Sequence, residues 1–506
     1  MEHDTAQSVK PLPSEGRLTR QFLVANALYL AVVHVWALGL PALGRDFAAF
    51  AGDLPMDAAS AWFFRVEMAV FGGFASGYLL VNALLLYGCM VCTFFITRFA
   101  VGGPVWLGSL AMALLMAHPL KSEAVLNLSG AADLLPAFTA LLALALYARA
   151  VHVNSLFAYA LAFVAFAAGA FLFRGNAGLF LAVLLYEVIV AKPAQRRIWR
   201  MGPIVVVGIA AVLVQMQTID DHEFRVTGIF GPLHFLFYPL GVLPETSVDF
   251  MATPWKLWLA SMSVVAFFLG LAHVTAHRVV VYGLVGLVGL RLFNAAELVY
   301  PYHLIGGGKL IACIALFCVM FAAVCQRVMT HPKWGRPVVV MTTLLCVVFF
   351  AMQVSTIFAW RDAARLVQAF QGAALKEAQD GQGILVAPDY RFFNGAPLTL
   401  SESISHDTPF SVFIPHRAAL RLNYTDDAEV SVARHSAHRL EVHVSGIHPA
   451  RVLPWSYTPD RAAGTDQIIE AHMEKDEMRL TLAPATGSYP PRIVSLAPRR
   501  PAADAP

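Results

Sequence analysis

The sequence predicts a polytopic α-helical membrane protein with a C-terminal β-rich domain outside the membrane, and three observations predict it. The chain is 58% hydrophobic and only 14% charged, with a mean hydropathy of +0.63 over 506 residues, more apolar and less charged than a soluble domain. Its apolar residues gather into long runs: a span needs roughly 20 residues, and about eleven segments reach or approach that length. From Gln371 onward charge, proline and short alternating apolar stretches replace the long runs.

Residues 1–20 form a tail that carries Lys10, Arg17 and Arg20. Residues 21–360 form the multi-pass membrane domain. Its clearest runs are Gln21 to Leu43, Tyr78 to Ile96, Leu156 to Phe173, Pro203 to Val214, Leu257 to Ala272, Val279 to Leu292, Leu304 to Val324 and Val338 to Phe358. The first is longer than the apolar core of a signal peptide, about 7–15 residues, and reads as a retained anchor. Loop charge orients the chain. With the N-terminal tail cytoplasmic, Arg98, Arg149, the cluster Lys192, Arg196, Arg197 and Arg200, the pair His277 and Arg278, and Arg327, Lys333 and Arg336 share its side. The polar islands at Arg45 to Asp57, His118 to Asp133, Asp220 to Arg225 and Asn294 to His303 then lie on the outer side, as does everything after Trp360, which implies an odd number of spans.

Residues 361–382 read as a polar linker helix. The stretches Gly383 to Ala387, Ser411 to Pro415, Leu440 to Val444 and Met478 to Leu482 are strand signals, so residues 383–497 read as the β-rich outer domain. The Pro/Ala-rich 498–506 reads as a disordered tail. Cys89, Cys92, Cys313, Cys318, Cys325 and Cys346 all sit in apolar runs, which offers no disulfide framework. Cys89 and Cys92 have redox spacing, but a thiolate is disfavoured in hydrocarbon and packing is the stronger reading. A net charge of +3 is too small to indicate nucleic acid.

One polar island stands out. Ala117-His118-Pro119-Leu120-Lys121-Ser122-Glu123-Ala124-Val125, with Ser129-Gly130-Ala131-Ala132-Asp133-Leu134-Leu135 after it, puts His, Lys, Glu and Asp between the apolar runs Val105 to Met116 and Leu134 to Tyr147. Ionisable groups there are costly unless they line a cavity or a membrane face, so the island is a functional-site candidate.

This block resembles the His-Pro-x-x-Thr-Glu-Ala-Val and Gly-Arg-Ala-Asp-Leu-Leu signature of the tetratricopeptide-containing transmembrane O-mannosyltransferases and their bacterial relatives. Weaker likenesses follow in order: Phe63-Phe64-Arg65, Gly77-Tyr78-Leu79-Leu80-Val81-Asn82, Tyr186-Glu187, Phe237-Tyr238-Pro239-Leu240, Ala296-Glu297-Leu298-Val299-Tyr300-Pro301, and Pro388-Asp389 through Gly395. Ser122 stands where the family has Thr, Ala131 where it has Arg, and Arg174-Gly175 where it has Lys-Glu. The family's paired first-loop acids are reduced to Asp46. No helical repeat of about 34 residues follows the membrane region, so the tetratricopeptide array is missing.

The resemblance implies a C-type glycosyltransferase fold in a bacterial inner membrane with the outer domain periplasmic. Its partners would be membrane lipid and a polyprenyl-phosphate-linked sugar, with no cofactor and no metal. Such a transfer needs a carboxylate to take the acceptor's proton and cations to stabilise the leaving phosphate. Asp46 is the candidate base, with Asp53 and Asp57 as fallbacks; all three also read as solvated loop acids. Glu123 and His118 complete the candidate catalytic set. Lys121, Asp133, Arg65, Arg174, Glu297 and His303 are the candidate substrate-binding residues. Asp133 equally suits the start of a helix, and His118 a satisfied histidine at a span end. Arg65, Arg174 and Arg291 either hold phosphate through paired donors or snorkel to the interface; for Arg291, pairing with Glu297 is as good a reading. Asp220-Asp221-His222-Glu223 reads as solvated loop, and Gly306-Gly307-Gly308-Lys309 as close helix packing. Asn423-Tyr424-Thr425 matches a glycosylation sequon by pattern only.

The leading expectation is therefore a membrane glycosyltransferase-like protein acting on the outer side. The alternative is an inactive scaffold of the same fold that binds a partner through its outer domain. A transporter is the weaker third class, since no repeat symmetry is visible.

Overall fold

A computed structural model describes residues 13–43, 46, 49–50, 56–118, 121–173, 176, 178–191, 198–216, 270, 278–291, 310–329 and 335–379, together with the strands of the C-terminal region given below. The chain divides into two compact units, Met1–Gly39 with Pro55–Ile357, and Leu40–Leu54 with Phe358–Pro506.

The described residues are mostly helical. Among the described residues, five helical segments are long and apolar enough to cross a membrane, Glu15–Ala37, Ala75–Ala100, Leu128–Val153, Ile311–Met329 and Gly335–Arg365. Shorter apolar helices run at Val105–Ala117, Leu156–Leu172, Leu179–Val190, Trp199–Val214 and Arg278–Leu287.

In chain order the first unit begins with α1 (Pro13–His34), α2 (Ala58–Phe71), α3 (Ala75–Ala100), α4 (Val105–Ala117), α5 (Ser122–Leu126), α6 (Ala131–Val153) and α7 (Leu156–Leu172). Then come α8 (Leu179–Leu185), which runs into a π turn at Tyr186–Val190, α9 (Ile198–Met216), α10 (Arg278–Arg291), α11 (Ile311–Met329) and α12 (Gly335–Gln379). Helix α1 starts earlier than the apolar run at Gln21: Pro13 stands at the first helical position, where proline is tolerated, Glu15 in the first turn suits the helix dipole, and the helix runs through Gly16 in spite of its low propensity. Helix α12 replaces the expected separate linker helix with one continuous helix of 45 residues. Polarity changes after Trp360, but Ala, Arg, Leu and Gln continue the helix well, so composition marks a change of surroundings there and not an end. The expected run Leu257 to Ala272 lies, apart from Gly270, outside the described residues.

Several polar groups inside apolar helices are satisfied locally or across helices, as a water-poor environment favours. Thr93 and Thr97 donate to the carbonyls one turn back, at 2.8 Å each. Asn26 of α1 donates to Ser109 of α4 at 2.8 Å, and the Tyr87 hydroxyl of α3 donates to the Leu23 carbonyl of α1 at 3.2 Å. Pro136 sits inside α6 and has no N–H, so the Ala132 carbonyl loses its helical donor. The Ser60 hydroxyl of α2 reaches that carbonyl at 3.3 Å. Asn176 donates to the Pro136 carbonyl at 2.8 Å and to Thr139 at 3.2 Å, closing the far side of the same turn.

In the second unit, the strands are β1 (Ile384–Val386), β2 (Phe392–Phe393), β3 (Ala396–Pro397), β4 (Ser411–Phe413), β5 (Tyr424–Ser436), β6 (Arg439–Ile447), β7 (Asp466–Glu474), β8 (Glu477–Pro484) and β9 (Ile493–Ser495). An antiparallel sheet has the order β5-β6-β8-β7, a three-stranded sheet joins β4, β1 and β9 in parallel, and β2 pairs with β3. The expected tail at 498–506 lies outside the described residues.

A buried polar segment between α4 and α6

Helix α4 ends at His118, whose extended backbone (φ −64°, ψ 123°) turns the chain while its N–H still bonds the Leu114 carbonyl at 2.9 Å. The chain then makes the single turn of α5, a 3-10 turn at Leu128–Gly130, and enters α6. This is a dense stretch of polar side chains in the core. His118, Lys121, Ser122, Asn127 and Ser129 are fully buried, Glu123 is 4% exposed and Asp133 is 7% exposed.

Three neighbours hold the segment. Asn82 of α3 donates to the Asn127 carbonyl at 2.7 Å. The Ser122 hydroxyl donates to the Gln353 side-chain carbonyl of α12 at 3.2 Å. Phe349, one turn before Gln353 on the same face of α12, meets the His118 ring edge-on with centroids 5.5 Å apart. Gly130 allows the chain to close on itself: a Cβ there would sit 2.7 Å from the Ala124 carbonyl carbon and 2.8 Å from the Asn82 amide nitrogen.

Lys121 lies between the two flanking helices, and its ammonium nitrogen has no hydrogen-bond partner among the described residues. A buried, unpaired ammonium is costly, and burial pulls its pKa down to about 7. His34, the last residue of α1, is within electrostatic reach of Lys121. Its Nδ1 bonds the Leu30 carbonyl at 3.0 Å and must therefore carry a proton, which leaves Nε2 as the variable atom.

The structure brings together His118, Lys121, Glu123 and Asp133 of the expected site. It places others elsewhere. Arg65 is exposed on α2, with Nε donating to the Ala61 carbonyl of its own helix at 3.4 Å. Asp46 belongs to the second unit and is fully buried, which overturns its reading as a solvated loop acid. Its carboxylate accepts the Leu43 N–H at 3.0 Å and its own N–H returns to the Leu43 carbonyl, closing a turn. Asp57 is the N-cap residue of α2. Arg174, Glu297, His303, Asp53, the Asp220 to Glu223 cluster and the Gly306 to Lys309 run lie outside the described residues, as does the side chain of Arg291. Among the described residues, no group of three or more His, Cys, Asp or Glu could hold a metal ion.

Sequence reasoning missed His34, Glu67 and Gln353, and named Asn82 only within the Gly77 to Asn82 likeness. His34, Asn82 and Gln353 are each isolated in an apolar run, which is itself the signal. Glu67 of α2 is 3% exposed and neither carboxyl oxygen has a partner among the described residues. Burial raises its pKa from 4.5 to about 8. Between those values the folded protein keeps a proton that the unfolded chain releases, so stability falls as pH rises from about 4.5 to about 8, by at most ~1.4 kcal/mol per pH unit. Glu67→Gln should match wild type in thermal stability at pH 5 and exceed it at pH 8 in detergent. Parallel pH curves for the two proteins would refute this.

No protein-family model matches the chain, and no curated protein matches it either.

Proposed function

We propose that this protein is a glycosyltransferase-like enzyme of a bacterial inner membrane, moving a sugar from a polyprenyl-phosphate carrier to an acceptor on the periplasmic side. The supporting observation is the burial, as one unit, of the segment that resembles the transmembrane O-mannosyltransferase signature. His118, Lys121 and Glu123 are held within 4% exposure between apolar helices, where ionisable groups usually serve function. In the proposed reaction the acceptor hydroxyl attacks the anomeric carbon, the bond to phosphate breaks, and polyprenyl phosphate leaves. Asp46 or Glu123 takes the acceptor's proton, and Lys121 offsets the charge that grows on the phosphate. The proposal includes about eleven spans, a cytoplasmic N-terminus and a β-rich periplasmic domain after α12.

The rival reading, an inactive scaffold of this fold, draws on the bonds from Asn82 and Gln353, which give the polar segment a structural use as well. Purified full-length protein in nanodiscs, supplied with radiolabelled polyprenyl-phosphate sugars and membrane glycan or protein acceptors, should transfer label. Absence of transfer from every donor, with cellular function retained by the Asp46→Asn, Glu123→Gln double variant, would favour the scaffold. Sidedness is tested by an impermeant thiol reagent on intact cells, which should reach a single cysteine at Ala433 and not one at Arg336.

A further inference from the structure

His118, Lys121 and Ser122 have no exposed surface, so a ligand meets them only if an element that covers them moves. The described elements that touch the segment are held very differently. Helices α4 and α6 run directly into it and cannot leave without pulling it apart. Helix α3 is tied to its backbone by the bond from Asn82 to the Asn127 carbonyl, and half of its apolar stretch is buried. Helix α12 is the exception. Only 11% of its apolar stretch is buried, against 61% for the stretch that contains α6. No residue from Gly335 to Val348 is buried, and the first that are, Phe349, Gln353 and Ile357, form one narrow stripe at helical spacing. Two of those three make the contacts to the segment, Phe349 on the His118 ring and Gln353 on the Ser122 hydroxyl. A neutral hydrogen bond and an edge-on ring contact are weak fastenings, each worth roughly a few-fold to tenfold in an equilibrium.

We propose that α12 is a gate, which moves away from the segment to admit a membrane-borne ligand from the side, with the Ser122–Gln353 bond as its latch. A helix satisfies its own backbone bonds, so it can shift through lipid as a unit without exposing peptide groups. The exposed face of α12 is apolar at Val339, Val340, Met341, Leu344, Val347 and Val348, and suits lipid in the closed and the displaced position alike. The inference rests on the reading of the segment as the active site and deepens it. A lipid-linked substrate stays in the bilayer, and the gate gives it a lateral way to a site that is otherwise closed.

Spin labels at exposed positions test the movement without touching the latch. In full-length protein in nanodiscs, with the six native cysteines replaced, one label is placed at Val348 of α12 and one at Leu84 of α3; the control pair is Leu84 with Val164 of α7. The Val348 pair should give two distance populations. Gln353→Met should raise the ratio of displaced to closed form by roughly fivefold, the scale of one neutral hydrogen bond, and Phe349→Leu should act in the same direction. The control pair should keep one narrow distance throughout. A lock provides the second measurement. Tyr29 of α1 and Phe350 of α12 stack with centroids 5.7 Å apart, so Tyr29→Cys with Phe350→Cys, bridged by a short bis-methanethiosulfonate reagent, should stop sugar transfer, and reduction should restore it. A single Val348 distance that is the same in wild type and in both latch variants overturns the inference. So does full transfer by the bridged protein, which decides the matter even where Gln353→Met fails to fold. Sugar transfer by a protein whose α12 does not move sinks the gate and leaves the proposed function standing. Movement of α12 that the latch variants enhance, without transfer from any donor, does the reverse.

Discussion

Gly130→Ala should leave little folded, active protein. The backbone of Gly130 has φ −62° and ψ −25°, a conformation open to any residue, so the expected cost is steric and not conformational. The added methyl would press on the Ala124 backbone carbonyl and the Asn82 amide, neither of which can swing aside. Moving Asn82 also breaks its 2.7 Å bond to the Asn127 carbonyl. Overpacking typically costs about 1–3 kcal/mol, and a site with no flexible neighbour stands at the upper end of that range. Size-exclusion chromatography of a fluorescent fusion should show aggregated or degraded material, and any folded fraction should have a markedly lower Tm. A monodisperse Gly130→Ala protein with the wild-type Tm would mean that the close approach of α5 to the start of α6 is wrong.

The largest effect on turnover is expected at the carboxylates. Asn at position 46 still offers an oxygen to the Leu43 N–H, so Asp46→Asn keeps the turn and removes only the proton acceptor. If Asp46 is the base, transfer should drop by a factor of about 100 or more, with donor binding retained. Glu123→Gln is the parallel variant within the buried segment and preserves shape at a position 4% exposed. Transfer rates at matched expression separate the two carboxylates. A comparable loss in Glu123→Gln alone moves the base to Glu123, and unchanged rates in both singles and in the double variant eliminate carboxylate catalysis at either position.

Much of the helical framework was legible because a membrane span announces itself by length. Tyr78 to Ile96 and Leu156 to Phe173 anticipate α3 and α7 to within a few residues at each end. The polar segment was legible for the opposite reason, since several ionisable residues together between apolar runs have few explanations. Partnership was not legible. Nothing local to Gln353 points to Ser122, and nothing local to His34 points to Lys121, because such pairings depend on which helices pack and a single polar residue in an apolar run does not encode that. Glu67 stayed hidden behind the more conspicuous Arg65 two residues away, although burial falls on Glu67 and exposure on Arg65. The continuity of α12 was missed because a change in polarity near Trp360 was read as a boundary between two helices, whereas polarity and helix continuity obey different rules.

The bond between Ser122 and Gln353 joins residues 231 positions apart, and this separation bears on how the protein is made. At synthesis rates of about 5–20 residues per second, the ribosome adds Gln353 roughly 10 to 50 s after Ser122. For most of that interval His118, Lys121 and Ser122 have left the ribosome while the helix that covers them has not yet been translated. Release of each helix singly into lipid would strand these groups in hydrocarbon, so biogenesis must keep the early helices together, or the segment at a hydrated boundary, until α12 arrives. Ribosome-stalled chains that end before and after Gln353 should therefore differ sharply in protease resistance around Lys121.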